Sequence, residues 1–151
     1  MKKKTIKKGL PYKQKDTSGK VEEPLAPVYR SVKVIPALKD FTYTEFKKIA
    51  DKAPFTQAEW AAMLHVSERT LQRYAKSNGV FASINAERAL HIEKVLKEAK
   101  LAFGKIENFY QWIKRNPYML EGNLSIQSLT TYDGIEKVLT QLGRIQQGLF
   151  A

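Results

Sequence analysis

From residue 40 onward, apolar side chains recur at steps of three and four, the spacing that gathers one face of a helix. The clearest case is Ala89, Ile92, Leu96, Ala99 and Phe103, a continuous seam that predicts a long helix over about 85–103, stopped at Gly104. Shorter segments flank it. Thr42 and Glu45 have capping-box spacing and precede Phe46, Ile49 and Ala50, with Pro54 ending that helix. Thr56 and Glu59 repeat the box before Trp60, Ala61 and Leu64. Ser67 caps a third helix, from Glu68 to about Lys76, closed by Asn78-Gly79. After Gly104 come a helix near 106–115 with Phe109, Trp112 and Ile113 inward, a turn at Asn116-Pro117, and a short helix near 125–130. A final helix opens at Asp133 and turns Ile135, Val138, Leu139 and Leu142 inward, with Gly143 loosening its end. The expected fold class is all-α.

Residues 1–40 lack any such period, and Pro11, Pro24, Pro27 and Pro36 interrupt helices there. They are expected to form a disordered tail over 1–25 and an extended lead-in over 26–40, with 28–34 able to pair as a short strand. The expected division is therefore a basic tail and lead-in (1–40), a first helical part (41–104) and a smaller helical part (105–151). The 151 residues carry a formal charge of +11, and residues 1–20 hold eight lysines against Asp16 alone. A field of that sign attracts polyanions such as nucleic acid, although a lysine-rich terminus also serves solubility. Charge alone does not name the partner.

Several function classes are disfavoured. Cysteine is absent, which removes thiol nucleophiles, disulfides and thiolate metal sites. His65 and His91 are too few for metal binding by themselves, and neither a glycine-rich phosphate loop nor a catalytic pairing of side chains is visible. No secretory signal or membrane-length apolar run is present, so a cytoplasmic protein is expected. The reading assigns no catalytic residue, no metal and no cofactor.

The segment from Phe55 to Tyr74 is the most informative for chemistry. A helix-turn-helix needs a small residue where two helices cross, which Ala61 supplies, and a tight connection, for which 64–67 serve. It also needs a buried anchor on the second helix, and Leu71 is so placed. The outer face of that helix then offers Ser67, Glu68, Arg69, Gln72 and Arg73, the side-chain types that read base edges and phosphates. Thr56 and Gln57 start the preceding helix, where backbone amides favour a phosphate. A plain helical hairpin with a polar exterior would share much of this pattern. The skeleton TQxxxA…VSxxTLxRY resembles the Xre/Cro-type helix-turn-helix of bacterial repressors, with His65 where the turn usually has glycine. Trp60 and Tyr74 read as core aromatics, and His65 as a turn residue at positive φ.

The last third has a character of its own. Trp112, Leu120, Leu129 and Val138 can converge into a small core between turns fixed by Asn116-Pro117 and Gly122. Together with Thr131, Gly134, Leu142, Gly143-Arg144-Ile145 and Gly148, these residues resemble the toxin-binding domain of the Xre/MbcA/ParS-type antitoxins, which falls on 105–151; with the helix-turn-helix included the resemblance spans roughly residues 41–151. Ser125 stands where members often have proline.

The resemblance implies a dual role: inhibition of a cognate RES-domain toxin that consumes NAD, and repression of the antitoxin's own operon as a homodimer on operator DNA. It places the toxin contact at the chain end, over Arg144, Ile145, Gln147, Gly148, Leu149 and Phe150, with Arg144 as a bidentate anchor. A frayed terminus would look similar. The alternative reading is a helix-turn-helix repressor whose C-terminal part only dimerises.

Overall fold

The computed structural model describes residues 41–120 and 122–149. The expected tail, lead-in and strand within 1–40 lie outside the described residues. The helical expectation holds. Six α-helices run in the order α1 (Tyr43–Ala50), α2 (Gln57–Leu64), α3 (Glu68–Ser77), α4 (Ser83–Phe103), α5 (Ile106–Lys114) and α6 (Tyr132–Gln146). A 3-10 helix, Ile126–Thr130, precedes α6, and a two-residue hairpin pairs β1 (Tyr118–Met119) with β2 (Gly122–Asn123).

The seam of α4 is the axis of the core. Ala86, Ala89, Ile92, Val95, Leu96 and Ala99 are all buried, and α2, α1, α5 and α6 pack against this helix. Three of those six are alanines, so the backbones of neighbouring helices can approach closely. Leu129, Val138 and Leu142 fill the space between α4, the 3-10 helix and α6. On the other side, Phe46 and Phe55 meet the edge of Trp60 at 5.2 and 5.4 Å, and Tyr110 from α5 closes on Phe55 at 5.5 Å.

Four local expectations need correction. Thr42 makes no side-chain cap for α1, and Glu45 pairs instead with Lys48 at 2.9 Å. Tertiary bonds hold this helix start instead: Tyr43 N–H donates to the Gly79 carbonyl and Thr44 N–H to Asn78 Oδ1, both at 2.9 Å. Leu120 does not join the C-terminal core; it sits at the hairpin tip, 72% exposed, and Leu124 is buried instead. Gly143 does not loosen the last helix, which runs through it to Gln146. Past that end the chain turns at Gly148, φ 76°, where Gly148 N–H donates to the Ile145 carbonyl and Leu149 N–H to the Arg144 carbonyl, at 3.0 and 2.8 Å. That pair of bonds is a Schellman ending. Finally, α6 begins at Tyr132, capped by Thr131, whose hydroxyl accepts from Gly134 N–H at 3.1 Å. Gly134 has no room for a side chain, since a Cβ there would meet the Ser128 carbonyl oxygen.

Two polar features stand inside this frame. Glu93 on α4 receives Lys52 at 2.6 Å and Lys97 at 3.6 Å, and the Lys52 hydrogen bond in particular holds its carboxyl below the usual range. Gln141 on α6 is completely buried, yet neither of its amide atoms has a hydrogen-bond partner. An unmatched buried amide carries its full desolvation cost, on the order of 1–3 kcal/mol. Gln141→Leu, close in volume and apolar, is therefore expected to raise the unfolding free energy by about 1–2 kcal/mol. Urea denaturation of the two proteins checks this, and an unchanged or lowered midpoint would show that Gln141 is better satisfied than its surroundings indicate.

Candidate nucleic-acid interface

The interface is built from two well-capped helices and the turn between them. At the start of α2, Thr56 Oγ1 accepts from Glu59 N–H at 3.2 Å while Glu59 Oε2 accepts from Thr56 N–H at 2.8 Å, the reciprocal box the spacing predicts. Tyr110 of α5 donates its hydroxyl to the same carboxylate at 3.3 Å, so the C-terminal half helps to hold this end. At the other end of α2, His65 adopts the left-handed conformation, φ 56° and ψ 42°. Histidine thus takes the place where glycine is usual. Two residues later Ser67 caps α3, its Oγ accepting from Thr70 N–H at 3.0 Å and donating to Thr70 Oγ1 at 2.9 Å.

This geometry sets the orientation of α3. Leu71 is buried beneath it, and Tyr74 packs its ring on Phe81 at 4.9 Å. The opposite face is left to solvent. Ser67, Glu68, Arg69, Gln72 and Arg73 are all exposed, as are Thr56 and Gln57 at the start of α2. Arg69, Gln72 and Arg73 share one shallow depression with Ser67, Thr70 and Lys76. Gln57 reaches across the turn and donates to the Glu68 carbonyl at 3.3 Å, which ties the two helix starts together. The arrangement offers Arg69, Arg73 and Lys76 at successive turns of one helix, with Gln72 among them. That surface suits a groove with phosphates on both sides.

The sequence-predicted residues on the two helices therefore come together. Those at the chain end form a separate group. Arg144 is partly exposed, Ile145 is buried against the protein's own core, and Gln147, Gly148 and Leu149 are exposed. Phe150 lies outside the described residues.

Two contributors were missed. Lys76 extends the cationic row, and its position seven residues after Arg69 is legible as the same helix face. The other is a second role for His65, whose Nε2–H donates to the Thr130 carbonyl at 2.6 Å. Arg88 donates to that same carbonyl at 3.0 Å, and Asn85 Nδ2–H holds the Leu64 carbonyl at 2.6 Å. No local signal announces these long-range bonds.

With this geometry in hand, the likeness to known proteins can be placed. Residues 44–93 match the family model of the antitoxin Xre-like helix-turn-helix domain. That span runs from α1 into the middle of α4 and includes the whole of α2, the turn and α3. The likeness supports a DNA-binding antitoxin or repressor. No curated protein matches the chain. Among the described residues, no helix is long and apolar enough to cross a membrane.

Arg69→Ala and Gln72→Ala are each expected to weaken binding to the DNA upstream of this gene by about 1–3 kcal/mol, without weakening binding to unrelated DNA equally. Lys76→Ala is expected to lower affinity across all sequences and to reduce the slope of log affinity against log salt by about one. Fluorescence anisotropy over a salt series measures both, and unchanged affinity in all three variants would remove α3 from the interface.

Proposed function

We propose that this protein is a dual-function antitoxin of a bacterial type II toxin–antitoxin pair. Residues 41–104 read operator DNA and repress the operon that encodes it, with Ser67, Arg69, Gln72 and Arg73 facing the major groove and Thr56 and Gln57 near a phosphate. Residues 105–151 bind and inhibit a cognate RES-domain toxin that consumes NAD. The protein acts in the cytoplasm as a homodimer and performs no catalysis of its own. The observation that carries the reading is the antitoxin-type helix-turn-helix over 44–93 with its cationic face open to solvent.

The toxin contact is argued from the end of α6. The Schellman bonds give the chain a defined direction after Gln147 and leave Leu149 exposed. An exposed apolar side chain on a turn of fixed geometry suits insertion into a partner's cleft. Arg144, one turn earlier on α6, supplies a fork able to pair with acidic or polar groups there. Ile145 contributes from the inside by anchoring that last turn to the core.

The test is co-expression with the product of the adjacent gene, reading growth and cellular NAD. A chain stopped after Gln146 keeps Ile145 and removes only residues 147–151. The full-length protein is expected to restore growth and NAD, whereas the shortened chain and Leu149→Asp are expected to fail at equal abundance. Rescue by the shortened chain would overturn the chain-end contact. Absence of rescue by any form would overturn the antitoxin reading and leave a helix-turn-helix repressor.

A further inference from the structure

A protein that reads two operator half-sites must present two recognition helices about 34 Å apart, so the two-fold axis passes within about half that distance of each. This limits which surface can join two copies. The first turn of α4 qualifies. It begins six residues after α3 ends, and the link is held against α3 by the Tyr74–Phe81 contact and by the bond from Gly79 N–H to the Tyr74 carbonyl. The far end of α4 does not qualify. Leu101 lies seventeen residues beyond Ile84, about 25 Å further along the helix.

The near end also has the surface a partner needs. Ile84 is 59% exposed and Tyr132, at the start of α6, is 63% exposed, and the two line one groove together with Glu87, Arg88 and His91. Val80, in the link between α3 and α4, is 53% exposed as well. Tyr132 is held in place by the edge of the His91 ring at 5.7 Å, and Arg88 by its bond to the Thr130 carbonyl. Large side chains on rigid elements make low-entropy anchors.

Charge selects the occupant. In a two-fold contact each residue meets the counterpart of its neighbour, so a self-binding face must carry both signs or none. This groove carries Glu87 beside Arg88 and His91. The larger groove at the other end of α4, floored by Leu96 and Ile106, is lined by Lys52, Lys97, Lys100 and Lys105 against Glu107, and even with Glu93 pairing Lys52 and Lys97 it keeps a positive excess that would face its own copy with like charge.

We infer that the Ile84–Tyr132 face, between the first turns of α4 and α6, is where a second copy of this chain docks to form the operator-binding dimer. The inference rests on the homodimeric operator-binding reading and assigns its surface. The native sequence contains no cysteine, so single cysteines report cleanly. Ile84→Cys is expected to give a covalent dimer under mild oxidation, while Leu101→Cys, 71% exposed on the same helix, is not. Ile84→Glu is expected to raise the dimer dissociation constant by at least about tenfold by light scattering, with an unchanged far-ultraviolet spectrum. If the chain is dimeric but Leu101→Cys cross-links and Ile84→Cys does not, the assigned face is wrong and the homodimer stands. If it is monomeric both in solution and on the DNA upstream of its gene, the homodimer fails and the face with it.

Discussion

The burial of one face of α4 is the constraint on which the other elements depend. Its buried alanines and branched residues, Ala86 to Ala99, form an apolar strip of nearly four turns, and no single neighbour covers it. Helices α1 and α2 take one part, α5 and α6 the rest. Neither half of the chain therefore has a core of its own. Phe109 and Ile113 from α5, and Val138 and Leu142 from α6, are as fully buried as Met63 and Leu64 on α2, and all belong to one cluster. At about 25 cal/mol for each square ångström of apolar surface removed from water, losing either set of partners would strip α4 of much of its stabilisation. The DNA-reading half is built on the same beam that carries the C-terminal half.

That sharing brings the turn at His65 into contact with the C-terminal segment. The left-handed residue that aims α3 also donates to Thr130, the last residue of the 3-10 helix before α6, and Arg88 from α4 completes the same acceptor. Three elements thus converge on one carbonyl oxygen. Any displacement of the 3-10 helix would lengthen short bonds to the helix-turn-helix. Gly134 tightens this region further, because the first turn of α6 lies directly on the Ser128 carbonyl. A hydrogen-bonded junction with so little free volume resists small deformations and transmits larger ones.

What could be read from the sequence is what is decided locally. The period of α4, the box at Thr56, the cap at Ser67 and the positive φ of His65 all follow from side chains within four residues of the effect, and the structure reproduces each. The errors share the opposite origin. Thr42 and Glu45 have the right spacing for a cap, but the start of α1 is held instead by bonds from Tyr43 and Thr44 to Gly79 and Asn78, more than thirty residues away. Leu120 has the composition of a core residue, yet the hairpin places it at the tip, and Leu124 goes inward instead. Gly143 lies inside a helix because packing on α4 outweighs its low propensity, an offset of roughly 1 kcal/mol. The bonds of His65 and Arg88 to Thr130 had no signature at all, since histidine and arginine are common on surfaces and the acceptor is a backbone atom.

The surface separates its properties by element. Positive charge and the amide side chain of Gln72 collect on α3, apolar bulk with mixed charge on the first turns of α4 and α6, and a single projecting leucine at the end of α6. Under the proposed function these are the contacts to DNA, to a second copy and to the toxin. Each uses residues that the others leave alone, so the three contacts do not compete for side chains. An antitoxin that represses its operon while holding its toxin requires that separation. The requirement also explains why α4 is long. Its first turn must lie close to the recognition helix to set the half-site spacing, and its last turns lie beside the end of α6, where Gln146 donates to Glu98 at 2.9 Å. Under the proposed function, the length of one helix, 21 residues or about 30 Å, therefore sets how far the proposed toxin contact stands from the proposed DNA contact.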